Sequence, residues 1–473
     1  MTVDSLIKNL RNIMRQDQGV SGDSQRIEQL GWMLFLKLYD DQEKFYELRD
    51  SKYKSPIPEK IRWRNWAADK EGMTGDELMD FVNDEVFPGL KELKVNQNDN
   101  RGRVVRNVLE DTFNYMKSGT TMRRVLNELN EYDFNKQSDR HIINDYYEKL
   151  LKGLQSAGDY GEFYTPRALT QFIVEMIDPK LDEVVFDPAC GTGGFLVNTL
   201  EHIRKNYVEN QSDEKKLHDN IRGVELKPLP HMLASTNMII HGVEIPDNIR
   251  HDDMLARPLT EYGPKDRVDA IVANPPFGAS VKDGTEKNFP SDFRSKETAD
   301  LFLVLFMHLL KDGGRAGIVL PDGTLFGEGV KTKIKEKLLS ECNVHTIVRL
   351  PQGVFNPYAG VNTNLIFFEK GQPTKEIWYY QLPLPEGMKQ YTKNRGITHE
   401  EFEPVKKWWK NRKSNGNAWK VSIEDIKNYN LDIKNPNGPK PPGQRSPEEL
   451  LEEIVNKEEN IHGIISSIKN DLS

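Results

Sequence analysis

Between residues 155 and 370, six short runs rich in β-branched and apolar residues alternate with helical or loop stretches. They are EVVFD (183–187), IRGVE (221–225), DAIVAN (269–274), AGIVLP (316–321), HTIVRLP (345–351) and NLIFFEK (364–370). Short apolar runs without polar alternation make strands buried on both faces. Strands separated by helices return parallel rather than as hairpins, so this region predicts a mostly parallel sheet covered by helices on both sides. In such a sheet, ligands bind beyond the carboxyl ends of the strands. The chemistry is therefore to be sought at those ends.

The first strand runs into FDPACGTGGFLVNTLEHI (186–203), a strand, a glycine turn and a helix. Gly191, Gly193 and Gly194, with Thr192 between them, let the backbone turn sharply and approach a ligand where a Cβ would clash. No Gly-Lys-Ser/Thr follows, so this is not a phosphate-cradling Walker loop, and the spacing is not G-x-G-x-x-G either. Alone it reads equally well as a tight turn. The second strand ends at Glu225, in GVELKP, where Rossmann-like sites hold ribose hydroxyls on an acid. Glu225 stands further from Asp187 than the usual ~20 residues, and the polar stretch 204–220 accounts for the insertion. IRHDDMLARP then supplies Asp252 and Asp253 at a third strand end. One such Asp would read as a solvated loop residue. Carboxylates at three successive strand ends read as a site.

Upstream, GEFYTPRALTQFIVEMI (161–177) places Thr165 as N-cap and Pro166 at the first helical position. A plain capped helix is the simple reading; beside a nucleoside-shaped site its free N–H groups and dipole suit a ligand carboxylate. A ribonucleoside with an amino-acid tail and no phosphates fits these features, and S-adenosylmethionine is such a molecule. The fourth strand ends in Asn274-Pro275-Pro276-Phe277. Two prolines stop the ladder, leaving an amide, a rigid pair and an exposed ring. The Asn274 side-chain carbonyl and the Pro275 backbone carbonyl together accept both hydrogens of an exocyclic amine. Such acceptors favour a pyramidal nitrogen whose lone pair points at a methyl group, with no metal required. Phe277 stacks on the base, which in duplex DNA must be flipped out to reach it.

In this order, YTPRAL, DPACGTGGFL, GVELKP, DDML and NPPF resemble a DNA adenine-N6 methyltransferase of the amino-methylating class. EQLGWMLFLKLYD, GRAGIVLPDGTLF and VFNPYAGVNTNLIFFEK extend the resemblance over most of the chain, to the modification subunit of type I restriction-modification systems. The resemblance implies a Rossmann-like, S-adenosylmethionine-dependent methyltransferase core. It implies cofactor contacts at Gly161, Glu162, Phe163, Tyr164, Thr165, Pro166, Asp187, Gly191 to Gly194, Glu225 and Asp252 or Asp253. It assigns Asn274, Pro275, Pro276 and Phe277 to catalysis on a flipped adenine. Where the family usually shows Gly-Asp, this chain has Asp252-Asp253. The family also implies a specificity subunit that reads DNA, two modification subunits for each specificity subunit, and a restriction or translocase subunit.

The flanks divide the 473 residues further. Residues 1–150 show apolar residues at helical spacing and no catalytic constellation, as a helical N-terminal packing domain would. The methyltransferase domain is expected over 151–372, with an extension over 373–434 in which order loosens. Residues 435–473 read as a Pro-rich linker and a helical tail. There Ser446-Pro447-Glu448-Glu449 forms a capping box, and Leu451, Ile454, Ile461, Ile465, Ile468 and Leu472 fall on heptad positions. A helix this short behind such a linker is marginal alone, so it is expected to dock, on its own domain or on a partner. The net charge of −8 disfavours a surface that grips DNA throughout, and no basic target-reading insertion follows the tetrad. The mixed-charge stretch 279–300 reads as a mobile loop. Two cysteines give neither a disulfide framework nor a zinc site. No run approaches the ~20 apolar residues of a membrane span and no signal peptide is visible, so a cytoplasmic location is expected. Three other readings stay open: a solitary DNA adenine methyltransferase, an enzyme methylating a protein amide, and a scaffold that has kept the fold. Protein-glutamine methyltransferases use a similar tetrad ending in tyrosine; Phe277 and the helical N-terminal domain speak against that reading. The intact tetrad and glycine turn speak against the scaffold.

Overall fold

The computed structural model describes residues 3–96, 99–154, 164–356, 360–392 and 394–437, together with 451, 455, 457, 458 and 461. Gly161, Glu162 and Phe163 lie outside the described residues, as does most of the expected docking helix.

Residues 3–154 are helical, organised around Asp23–Arg49. From Leu30 to Asp41 this helix is buried on every side, as a helix must be at the centre of a bundle rather than on its surface. Its buried charges are paired: Lys37 Nζ donates to Asp41 Oδ2 at 2.5 Å and Arg64 Nε to Asp40 Oδ1 at 2.7 Å, as buried charge requires. The same core takes in Leu229, Met232 and Leu233 from the helix Pro228–Ile240 of the methyltransferase region. Gly31 permits that crossing, since a Cβ there would lie 2.6 Å from Met232 Cε. Tyr147 adds a hydroxyl bond to the Leu233 carbonyl at 2.6 Å. The helix that leaves GVELKP is thus braced from behind by the N-terminal helices.

The rest is built on one nine-stranded sheet. Its strands are β1 (Val185–Asp187), β2 (Ile221–Glu225), β3 (Ile249–His251), β4 (Val268–Ala273), β5 (Leu310–Pro321), β6 (Cys342–Arg349), β7 (Thr363–Lys370), β8 (Glu376–Gln381) and β9 (Ala418–Ser422). The order is β3-β2-β1-β4-β5-β7-β6-β8-β9. From β3 to β5 every pairing is parallel; β7 enters antiparallel between β5 and β6, and β9 closes antiparallel on β8. Along β4, Ala270 and Val272 face one apolar core while Val268, Ile271 and Ala273 face the other. Helices Arg167–Ile177 and Gly194–Tyr207 cover the first face, and Thr298–Leu309 and Val330–Glu341 the second. This is the α/β, Rossmann-like core expected from the strand runs, with a helical N-terminal region.

All six runs read from the sequence are strands. The expected loosening after residue 370 does not occur, because β8 and β9 continue the sheet. Aromatic rings do the packing: Tyr379 of β8 stacks on Trp419 of β9 with ring centroids 5.3 Å apart, and Trp408, from the helix Glu403–Lys410 between them, meets Tyr380 at 5.1 Å. The stretch after the tetrad is not a free loop either. Val281 N–H donates to the Lys296 carbonyl at 2.9 Å, Ser280 and Glu297 form an antiparallel bridge, and Phe289 is buried. These long-range pairings leave no mark in local composition.

Candidate active site

Strand order reverses between β1 and β4. The chain moves outward from β1 through β2 to β3, then returns to set β4 on the other side of β1. Such a reversal opens a crevice past the carboxyl ends of the two strands, where open sheets bind ligands. The glycine turn leaves β1 there and the tetrad leaves β4. Between them lies a cavity of about 280 Å³ bounded by Gly191, Glu225, Asp252, Asp253, Asn274 and Thr298, near the small end of small-molecule sites.

The glycine turn is tied to its neighbour strand by the Cys190 N–H, which donates to the Val224 carbonyl at 2.9 Å. Gly191 and Gly193 have φ of +54° and +79°, the left-handed region in which a side chain costs about 1–2 kcal/mol. Gly193 also lies against the helix behind it, since an added Cβ would come within 3.3 Å of Ala234 Cβ. The Thr192 carbonyl accepts from Asn237 Nδ2 at 3.0 Å. Gly194 opens its helix, and its carbonyl accepts from Arg167 Nη1 at 3.1 Å. Arg167 in turn pairs with Glu148 of the N-terminal region, so both halves of the chain hold the turn.

Glu225 joins the first two strand ends. Its Oε2 accepts from the Gly191 N–H at 2.9 Å and its Oε1 from the Lys227 N–H at 2.7 Å. A carboxylate has about four acceptor positions, and this one also lines the cavity. Asp252 Oδ1 accepts from Asp253 N–H at 2.8 Å, and Asp253 Oδ1 from Leu255 N–H at 2.9 Å; both residues line the cavity. The lining cations, Lys227 and Lys282, are exposed. A wall of carboxylates suits hydroxyls and amines and repels phosphates.

Asp187 is buried at the root of the turn, with Oδ1 accepting from the Ala189 N–H at 3.1 Å. Burial, then the charge of Glu225, pushes its carboxyl well above the usual carboxylate range. The Cys190 thiol is raised by burial and by Asp187 and Glu225. For Asp187 the folded value lies above the unfolded one. Its contribution to stability is therefore full below about pH 4 and is lost as pH rises through the folded value. Asp187→Asn removes that ionisation cost. Without a methyl donor, its Tm is expected to gain on wild type as pH rises from 4 to 8 in thermal melts; a gap that narrows with pH refutes the assignment.

In the tetrad, Asn274 Nδ2 donates to Thr165 Oγ1 at 3.0 Å, and Asn274 Oδ1 is a buried acceptor with no partner. Such an atom is costly unless a ligand satisfies it. The Pro276 carbonyl accepts from the Thr298 hydroxyl at 2.6 Å. Among the described residues the Pro275 carbonyl accepts no hydrogen bond. Phe277 is not the exposed ring expected from the sequence. It is 9% exposed and packs edge to face on Phe355, with centroids 5.8 Å apart at 83°, because a strand end between two helix layers offers it an apolar partner.

The upstream helix begins one residue later than expected, at Arg167. Pro166 is the N-cap, with ψ of 131°, and its carbonyl accepts from Leu169 and Thr170 N–H. Thr165 does not cap, because its hydroxyl is turned to Asn274. Tyr164 lies in the N-terminal helical core, where burial raises its hydroxyl to about 12. The structure therefore gathers the residues of the glycine turn, Glu225, Asp252, Asp253, Asn274, Pro276 and Thr165, with Asp187 beneath them. It places Phe277 and Tyr164 in apolar cores. Sequence reading missed Thr298 and Phe355 as members of the site. Thr298 follows an apparent loop, and Phe355 stood only in the VFNPYAG stretch quoted for resemblance.

Comparison with known proteins gives the family of the chain. The N-6 DNA Methylase family matches residues 138–442 and the HsdM N-terminal domain matches residues 3–154. The type I restriction enzyme EcoEI methylase subunit of Escherichia coli is 55% identical over 446 residues, covering 92% of this chain and 91% of that protein. A modification subunit from Vibrio vulnificus YJ016 superposes with a TM-score of 0.81 at 42% identity, over 92% of this chain and 96% of its own. A subunit from a structure of type I R-M complex assembly gives 0.83 at 35% identity, over 99% and 97%.

Proposed function

Since the chain belongs to the N-6 DNA methylase family, in its type I modification branch, we propose that S-adenosylmethionine occupies the cavity and that Asn274 and Pro275 hold the target amine. The activity is methylation of the exocyclic N6 of adenine in DNA, as the modification subunit of a type I restriction-modification complex in which a specificity subunit reads the sequence.

One observation carries the reading of the tetrad: Asn274 Oδ1 is buried and unsatisfied beside the cavity. The residues fit the methyl donor by the chemistry of their donor set. Glu225, Asp252 and Asp253 line the cavity with carboxylates suited to hydroxyls and an amine, and the lysines among the described lining residues, Lys227 and Lys282, are exposed rather than built in for a phosphate. When bound, S-adenosylmethionine supplies an electrophilic methyl group on a sulfonium. Asn274 Oδ1 and the Pro275 carbonyl each accept one hydrogen of the adenine amine, drawing its lone pair out of the ring. The proline pair fixes these acceptors before the base arrives, so no reorganisation is needed at the moment of transfer. Glu225, Asp252 and Asp253 would hold the methyl donor, which would supply the methyl group and keep the electron pair of the bond it gives up, while the acceptors of the tetrad would hold the amine and pass on the proton it loses. Phe277 and Phe355 enclose the ring of the base. Their closed edge-to-face packing must open to admit it.

Among the described residues no helix is long and apolar enough to cross a membrane; the cytoplasmic location belongs to the reading because the substrate is DNA. The test is transfer of labelled methyl from S-adenosylmethionine to unmethylated DNA, by this chain alone and with its specificity subunit, with the product base identified. Binding of the methyl donor without transfer, and N6-methyladenine once the partner is added, is the expected result. Transfer by the chain alone contradicts delegated recognition, and methylation of a protein amide contradicts the substrate.

A further inference from the structure

An asparagine amide has nearly the same shape after a half-turn about its last bond, but the half-turn exchanges an acceptor for a donor. The difference decides whether the tetrad works. With Oδ1 toward the cavity, Asn274 accepts from an incoming amine; with Nδ2 there, two donors confront each other. Something must select the orientation. The tetrad backbone does not, since both orientations share it. Among the described residues, the Asn274 amide makes one hydrogen bond, from Nδ2 to Thr165 Oγ1 at 3.0 Å, and Oδ1 makes none.

We propose that Thr165 is the positioning residue that anchors the Asn274 amide beside the target base, so that Oδ1 can face it, an inference that rests on the methyl-transfer reading of the site. A hydroxyl can accept from Nδ2 or donate to Oδ1, so Thr165 anchors the amide in either sense, and the incoming amine, which needs an acceptor, selects the orientation with Oδ1 toward it. The half-buried setting of Thr165 and Asn274 keeps bulk water from replacing the bond cheaply. The placement also explains why Thr165 does not cap the helix that follows. Its side chain is committed to β4, 109 residues along the chain, and Pro166 takes over the N-cap position.

The test compares Thr165→Val, which keeps the shape and loses the acceptor, with Thr165→Ser, which keeps the hydroxyl. Both are assayed in the complex with the specificity subunit, and S-adenosylhomocysteine binding is measured by calorimetry. Thr165→Val is expected to lower kcat about tenfold, the worth of one hydrogen bond, with KM for S-adenosylmethionine and S-adenosylhomocysteine affinity unchanged. Thr165→Ser is expected to recover most of the loss. The proposal is overturned if Thr165→Val raises KM and weakens S-adenosylhomocysteine while kcat at saturation holds, for the hydroxyl then serves the cofactor. It is also overturned if Thr165→Ser is as slow as Thr165→Val, for shape and not the hydrogen bond then matters. A wild-type complex that transfers no methyl to adenine overturns instead the reading on which the proposal rests.

Discussion

Asn274→Ala is expected to lower kcat by about 10³-fold, about 4 kcal/mol of transition-state stabilisation, while the methyl donor binds as in wild type. The size follows from what the side chain does. The amine of adenine is delocalised into its ring and is a poor nucleophile, so acceptors that pull its hydrogens out of the ring plane act in the transition state more than in the ground state. Interactions of that kind raise kcat rather than lower KM. Oδ1 is already desolvated in the free protein, so its loss removes a preorganised group and leaves only the Pro275 carbonyl. In the proposed site the methyl donor is held by the glycine turn and by Glu225, Asp252 and Asp253, whose hydrogen bonds to backbone N–H groups do not involve Asn274. Single-turnover transfer of labelled methyl, with calorimetry on S-adenosylhomocysteine, separates the two effects. Turnover near wild type in this variant would sink the proposed role.

The parts of this site that were legible in the sequence are those fixed by local rules. Buried strands announce themselves as apolar runs, and glycines mark turns that need positive φ, as Gly191 and Gly193 do. A strand ending in two prolines has to stop. Once the strand ends are known, the sheet rule places Asp187, Glu225, Asp253 and Asn274 around one crevice. The parts that were not legible depend on pairing across the chain. Nothing near Thr298 says that its hydroxyl bonds the Pro276 carbonyl, and nothing near Thr165 says that it serves Asn274 rather than its own helix. Phe277 looked exposed because its neighbours are polar or proline; its partner, Phe355, follows two strands later. The sheet beyond residue 370 was missed because β8 and β9 are rich in aromatic residues, and tryptophan packs in loops and strands alike.

Glu225→Gln tests the other half of the site, and it is expected to weaken S-adenosylhomocysteine binding almost as much as Glu225→Ala, by about 30–150-fold, or about 2–3 kcal/mol. Glutamine looks conservative, since it keeps the length and one oxygen. The geometry says otherwise. Both carboxylate oxygens of Glu225 already accept from backbone N–H groups, Oε2 from Gly191 and Oε1 from Lys227. Glutamine has one acceptor atom, so whichever way its amide turns, its NH₂ confronts either the turn after β1 or the start of the helix after β2. One of those N–H groups then loses its partner, and the glycine turn loses the tie that holds it at the cavity wall. Alanine loses both ties and the carboxylate itself, but adds no repulsion. If Glu225 acted only as an acceptor reaching a ligand from one side, glutamine would retain most of the binding; that is the outcome that would refute the role given to it here. Repeating the titration with methylthioadenosine, which lacks the amino-acid tail, locates the defect. With Glu225 acting on the nucleoside end, as proposed, the loss should be the same with and without the tail, whereas Asp187 variants should spare the truncated ligand if Asp187 serves the tail.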